Sequence, residues 1–428
     1  MPSDTKRPQV VPSTYFRIAQ LQSSVFLPSL RHLRCSLEAG STSYIFLFLS
    51  PSLESLEFTN IAGSENNFVR PFLDALPSPM LNRIVLRTGR LSVDALTFIA
   101  QFKQLRSLEL SDAAFMNKFV LCDVIGALPS LANLTLKAIS SQAEAHCAYV
   151  PERLDSENGS PECFNTLETL RVTGSLRLIL DLLNFIQSPG LKSIEVHLAI
   201  DWKLRVYEAR RGSVQSEPDY DFARSIAMVG SKWPQSLENL VIGQYNVGNS
   251  NPPKPGNCSI FSNSMIVPLM NLHEMQTFHL KDWKIGQIGS TNMDDDVRRL
   301  VISWPKLTTL ILPVDQTPIS LLTLRMIAEN CPELRYLQTQ LDVSTIPPSD
   351  TASAALCHKL GVLSMASSLR FSSTTLQSQV HVARHLDSMF PYLESIKTHF
   401  GFNTGWLEIY ELVKLCQDVR RDEAKRQK

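Results

Sequence analysis

Apolar residues return along this chain in threes, written Leu-x-x-Leu-x-Leu, and Leu105-Arg106-Ser107-Leu108-Glu109-Leu110 is the plainest copy. The second and third members are two residues apart, the spacing of one face of a strand, and the first sits one turn upstream. The pattern recurs as Leu30/Leu33/Cys35, Leu53/Leu56/Phe58, Leu81/Ile84/Leu86, Leu131/Leu134/Leu136, Leu167/Leu170/Val172 and Leu191/Ile194/Val196. Later copies are Leu237/Leu240/Ile242, Met275/Phe278/Leu280, Leu307/Leu310/Leu312, Leu334/Leu337/Thr339, Leu360/Leu363/Met365 and Leu393/Ile396/Thr398. Nine of the thirteen follow a proline: Pro28, Pro51, Pro79, Pro129, Pro189, Pro234, Pro305, Pro332 or Pro391. Proline cannot continue a helix, so each separates a helix from the strand that follows. Between Met293 and Pro305, for example, Val297, Leu300, Val301 and Trp304 carry helical periodicity behind Asp294, Asp295 and Asp296.

One unit is therefore a short strand, a loop, a helix and a proline turn, with a mean spacing of about 30 residues, near the long end of leucine-rich repeats. A single unit buries too little apolar surface to offset the entropy of ordering its own backbone. Stacked units solve the problem. The fold class expected is an α/β leucine-rich-repeat solenoid, with a curved parallel sheet on the concave face and helices on the convex face. The boundaries follow: residues 1–24 are a polar lead-in or partial cap, and 25–403 form one solenoid of about thirteen irregular repeats. Residues 404–428 make a C-terminal capping helix with a charged tail, its apolar side formed by Trp406, Ile409, Leu412, Val413, Cys416 and Val419.

Composition narrows the function. The chain has 41 basic and 41 acidic residues, so no net field draws nucleic acid or an anionic membrane. Its start lacks the apolar core of a signal peptide, and the longest apolar run, Tyr44 to Leu49, cannot span a bilayer. A cytoplasmic or nuclear monomer is expected, with its eight cysteines reduced. Long polar stretches at 140–164, 201–221, 245–262, 284–292 and 342–352 all leave after a third beat, which places them on one rim of the sheet. The first of these is acidic and the second begins with Trp202, Lys203, Arg205, Arg210 and Arg211, so the two are expected to frame a site together.

No cluster points to catalysis or to a cofactor. His381 and His385 share a helix face but lack the glutamate and third ligand of a zinc site. Cys357 and His358 lack an orienting partner, and the three aspartates suit a helix start. The informative positions lie between the second and third beats: Arg34, Glu57, Val85, Glu109, Thr135, Arg171, Glu195, Val241, His279, Ile311, Gln338, Ser364 and Lys397. They must face away from the core, and their alternating signs argue against tracking phosphates. Arg171, Glu195, His197, His279 and Tyr336, with Trp202 and Arg205 from the rim, form a mixed polar and aromatic surface suited to a protein partner.

The phrases Pro28-Ser29-Leu30-Arg31-His32-Leu33, Pro51-Ser52-Leu53-Glu54-Ser55-Leu56, Pro129-Ser130-Leu131-Ala132-Asn133-Leu134 and Cys331-Pro332-Glu333-Leu334-Arg335-Tyr336-Leu337 resemble the irregular leucine-rich repeats of fungal F-box proteins. That resemblance covers nearly the whole chain. It implies a non-enzymatic interaction scaffold, similar to the substrate-recognition region of a ubiquitin-ligase receptor, whose F-box would bind the adaptor of a cullin-RING ligase. No Leu-Pro-x-Glu opening of an F-box precedes Val25. The asparagine that regular repeats place after the third beat is replaced by residues such as Ile61, Ala113, Ile139 and Trp283, which predicts irregular edges. The alternative class is a repeat-based GTPase regulator or another enzyme, with a rim arginine such as Arg205 or Arg210 as the active group.

Overall fold

The triplets form strands in the computed structural model, several of them alternating buried and partly open residues. The model describes residues 26–36, 43–61, 66–76, 79–88, 93–111, 124–138, 163–200, 217–246, 260–281, 283–285, 293–313, 318–344, 356, 358–365, 375–398 and 404–427. In Ser107–Ser111 the two leucines are buried and the three residues around them half-buried. The chain divides into two compact units, residues 1–188 and 189–428, at Pro189, one of the prolines that precede a triplet.

The first unit holds β1 (His32–Ser36), β2 (Ser55–Ile61), β3 (Arg83–Thr88), β4 (Ser107–Ser111), β5 (Asn133–Lys137) and β6 (Thr169–Gly174). They pair in chain order and in parallel, so that Leu33, Leu56, Ile84, Leu108, Leu134 and Leu170 fall in one row. Helices α1 (Asn66–Ala75), α2 (Val93–Ile99) and α3 (Leu176–Phe185) and a 3-10 turn at Ser43–Phe48 lie between strands. Their buried residues, Val69, Phe72, Ile99, Ile179 and Leu182 among them, complete the core.

The second unit runs β7 (Ser193–Ile200), α4 (Glu217–Lys232), β8 (Asn239–Asn246), β9 (Ile260–Phe261), α5 (Asn263–Leu269), β10 (Thr277–Leu280), β11 (Lys284–Ile285), α6 (Met293–Ser303) and β12 (Thr309–Ile311). It continues through β13 (Ile319–Ser320), α7 (Leu321–Asn330), β14 (Tyr336–Thr339), β15 (Leu341–Asp342), β16 (Val362–Met365), α8 (Leu376–Met389), β17 (Ser395–Thr398) and α9 (Thr404–Arg426). Its main sheet has the order β7-β8-β10-β12-β14-β16-β17, all parallel. Parallel strands joined by helices in unbroken chain order define the α/β leucine-rich-repeat solenoid.

The proline does more than stop the helix. In Trp304-Pro305-Lys306-Leu307 the Leu307 N–H donates to the Trp304 carbonyl at 3.2 Å, and the same turn closes Cys331 to Leu334 at 3.0 Å and Phe390 to Leu393 at 3.1 Å. Proline's fixed φ suits the second place of such a turn. The residue ahead of it is a fourth buried beat, with Trp304, Cys331 and Phe390 wholly covered. Immediately before a strand, one carbonyl accepts two N–H groups from the next repeat: Arg31 takes Glu54 (2.8 Å) and Ser55 (3.0 Å), and Glu238 takes Gln276 (2.7 Å) and Thr277 (2.9 Å).

Three expectations change. The stretches 245–262 and 284–292 contain strand, since β9 pairs with β11, and β13 similarly pairs with β15. Trp283 fills the place of the missing asparagine by stacking on Phe222 (4.7 Å between centroids) and meeting Phe261 edge-on. On α9, Trp406, Ile409 and Val413 are buried, but Val419 faces solvent. The covered stripe passes instead through Gln417, which donates to the Leu393 carbonyl (3.1 Å), and Arg420, which donates to that of Pro391 (2.9 Å). Helical advance, about 100° per residue, carries position 419 out of that stripe.

Candidate protein-binding face

The residues between the leucines fall into register as columns. In the first unit Arg34, Glu57, Val85, Glu109, Thr135 and Arg171 are successive strand partners. Two residues on, Arg87 reaches across the central column. Its Nε donates to Glu109 Oε1 at 3.1 Å and its Nη1 lies 3.6 Å from Glu57 Oε1, which also faces Arg34 Nε at 3.3 Å. The Glu109 hydrogen bond is the chief reason the Arg87 pKa rises. This arch spans the strand that carries Val85, and Val85 is fully buried on a face expected to be open.

In the second unit Glu195, Val241, His279, Ile311, Gln338, Ser364 and Lys397 form the corresponding column. His197 sits beside Gly243 in the next row. Its Nε2 lies 2.9 Å from Glu195 Oε1, and its ring occupies the space over Gly243, where a Cβ would overlap Nδ1. Only glycine leaves room for the ring there. His279 is half-buried, and burial first, then Lys281 and His197, hold its pKa below the ordinary histidine value, with Glu195 opposing them. Tyr336 donates its hydroxyl to Gln338 Oε1 at 3.2 Å on its own strand. Ser364 is fully buried, contrary to the open position expected of it.

Of the residues expected to act together, the structure joins Glu195 and His197 directly and couples His279 to both through its field. Tyr336 lies two strands from His279, with β12 between them. Arg171 stands exposed on β6 in the first unit. Trp202 and Arg205 lie outside the described residues, as do the charged residues of the acidic and basic excursions. Gly243, Lys281 and Arg87 were not singled out from sequence, because their importance depends on which side chain lies across the next strand.

The remaining candidates have structural roles. His358 is buried, its Nε2 2.7 Å from the Cys331 carbonyl and its Nδ1 accepting the Leu360 N–H at 3.1 Å. Asp294 Oδ1 accepts the Ser320 N–H at 2.9 Å, and Asp295 pairs with Arg298 at 3.6 Å. His381 is exposed whereas His385 is half-buried. Among the described residues no three metal-ligating side chains gather. Cys35, Cys163, Cys331 and Cys416 are free thiols, and burial raises Cys35 to about 11 and Cys331 to about 12. No described helix is long and apolar enough to cross a membrane.

No protein-family model and no curated protein matches the chain. Among solved structures it is similar to a chain of the Rad7 and Elc1 complex in yeast, at 13% identity and a TM-score of 0.43, covering 92% of this chain and 84% of that one. It is also similar to a chain of the TLR13–ssRNA13 complex, at 15% identity and a TM-score of 0.32, covering 79% of this chain and 48% of that one. The fold assignment rests on the strand order and register given above.

Proposed function

We propose that this chain is a non-enzymatic protein-interaction scaffold, acting as a monomer in the cytoplasm or nucleus, whose sheet face takes a protein partner. The observation that supports this most is the in-register polar and aromatic column of the second unit, Glu195 and His197 through His279 to Tyr336 and Gln338. Partly buried groups mixed with Val241 and Ile311 provide the polar and apolar patchwork of a recognition surface. The finer reading is a substrate-recognition region of F-box type linked to a cullin-RING adaptor. It rests on the Pro-Ser-Leu phrases, with Arg171, Glu195, His197, His279 and Tyr336 as contacts and Trp202 and Arg205 contributing from the rim.

Affinity purification with mass spectrometry of the wild type, Tyr336→Ala and Glu195→Lys tests both levels. Partners lost with either substitution, while the variants keep the wild-type melting temperature, support the scaffold. Adaptor and cullin peptides support the ligase link. A nucleotide-binding protein retained by both variants favours the regulator class, and a partner set unchanged by both overturns the face assignment.

A further inference from the structure

His279 and Lys281 stand two residues apart at the end of β10. The Lys281 N–H still bonds to the Ile242 carbonyl (2.8 Å), so the ladder continues and both side chains lie opposite the buried Leu280. Lys281 is exposed and His279 half-buried. Beside them β8 contributes Val241 and Gly243, and β12 contributes Ile311, none of which titrates. From β7 come Glu195 and His197, and this carboxylate is already engaged, 2.9 Å from the histidine's Nε2. Among the described residues neither the Lys281 ammonium nor the His279 ring has a carboxylate at ion-pair distance or a side-chain hydrogen bond.

Two basic groups without a counter-charge, over a floor of Val241 and Ile311, are arranged to receive an anion. We propose that His279 and Lys281 receive a carboxylate from an acidic peptide segment laid across β8, β10 and β12, and that docking takes up a proton at His279. The proposal rests on the reading of this face as a protein-docking surface and names the chemistry of the partner. In the free chain burial and the Lys281 charge keep His279 neutral near pH 7. A carboxylate set between the two reverses the second influence, because the opposite charge favours imidazolium and the hydrogen bond it donates. Binding coupled to one proton strengthens as pH falls, by at most about tenfold per pH unit.

The probe is a fluorescein-labelled oligoglutamate peptide titrated with the full chain and read by anisotropy at about pH 7.5 and about pH 6. Oligolysine and a phosphoserine peptide of neutral sequence are run beside it. The expected result is oligoglutamate binding about fivefold or more tighter at the lower pH, with weak binding of the other two. His279→Gln removes the pH dependence, Lys281→Gln weakens binding at both pH values, and Arg34→Gln in the first unit changes neither. In the wild type, the His279 Cε1–H resonance titrates at higher pH once the probe is added, a readout that does not depend on any variant folding. Affinity that ignores pH, a pH response intact in His279→Gln, an unmoved His279 titration, or preference for the phosphopeptide overturns the proposal. A captured protein whose retention is insensitive to both substitutions sinks this inference and leaves the scaffold standing. The probe responding as described while no protein is captured does the reverse.

Discussion

In the first unit Arg34, Glu57, Arg87 and Glu109 neutralise one another across four strands, β1 to β4, around the buried Val85. In the second, the same rows carry Glu195, His197, His279 and Lys281, and among them only Glu195 and His197 come within hydrogen-bond distance, at 2.9 Å. One polar column on one kind of strand thus serves two ends. Where opposite charges alternate from strand to strand, the face satisfies itself and contributes to the fold. Where histidines replace arginines, charge depends on pH and on what arrives, and the docking proposed above depends on that difference.

The largest effect that would sharpen this contrast lies beneath the second unit's face. Gly230 on α4 meets the Pro268 carbonyl of α5 so closely that a Cβ would overlap it. The obstacle is backbone, so Gly230→Ala must push the helices apart and is expected to cost about 3 kcal/mol, despite alanine's better helix propensity. Hydrogen exchange should quicken in β8 and β10 and stay unchanged in residues 26–138. Gly243→Ala is milder, about 1 to 2 kcal/mol by overpacking, because the His197 ring can swing aside. That swing breaks its contact with Glu195, so the His197 resonances should shift while those of Arg34 and Arg87 do not.

Acid should separate the units next. His279, His358 and His385 all have pKa values below the ordinary histidine value, with burial the first cause in each. Their folded forms bind fewer protons than the unfolded chain, so the stability they give is fully present above about pH 6.5. It is lost as pH falls through that value toward their folded pKa values. Charging His358 also requires a proton on Nδ1, the atom that accepts the Leu360 N–H. Burial raises Asp296 and Asp387, whose ionised carboxylates therefore oppose folding less as pH falls toward 4. The loss between about pH 6.5 and 5 thus belongs to the histidines. His32, the one described histidine of the first unit, is exposed. Urea unfolding followed by hydrogen exchange should show the midpoint of the second unit falling over this window while the first holds. Equal losses in both would break the contrast.

The strands and their register were legible because a period of two inside a spacing of about 30 leaves little freedom. Every triplet from Leu33 to Ile396 occupies a row that its spacing predicts. The fourth beat escaped notice because its members, Trp304, Cys331, Phe390 and even Ser50, share burial but not chemistry. Burial of Val85 was illegible for a different reason. The residues that cover it lie 28 positions before and 24 after, as Glu57 and Glu109, and become neighbours only through pairing. Gly243 is the same case, since its need is set by the ring of His197. Glu195 and His197, by contrast, were visible as a pair two residues apart on one strand face. Patterns within one unit can be read from the chain; consequences of stacking need coordinates.

Arg87 offers the smallest effect and the finest test of what the first unit's charges do. Its side chain is 44% exposed, and exposed ion pairs contribute roughly 0.2 to 1 kcal/mol each. Arg87→Gln removes both pairs and should therefore cost about 1 kcal/mol at low salt and less at high salt. Arg87→Met removes the same charge but keeps an apolar chain able to lie over Val85. If the arch matters through charge, both variants lose the salt dependence of the wild type and unfold at the same urea concentration. If it matters by covering Val85, Arg87→Met holds the wild-type midpoint and only Arg87→Gln falls. The buried state of Val85 favours the second outcome, because a side chain kept from water by its neighbours loses that shelter whether or not the neighbour was charged.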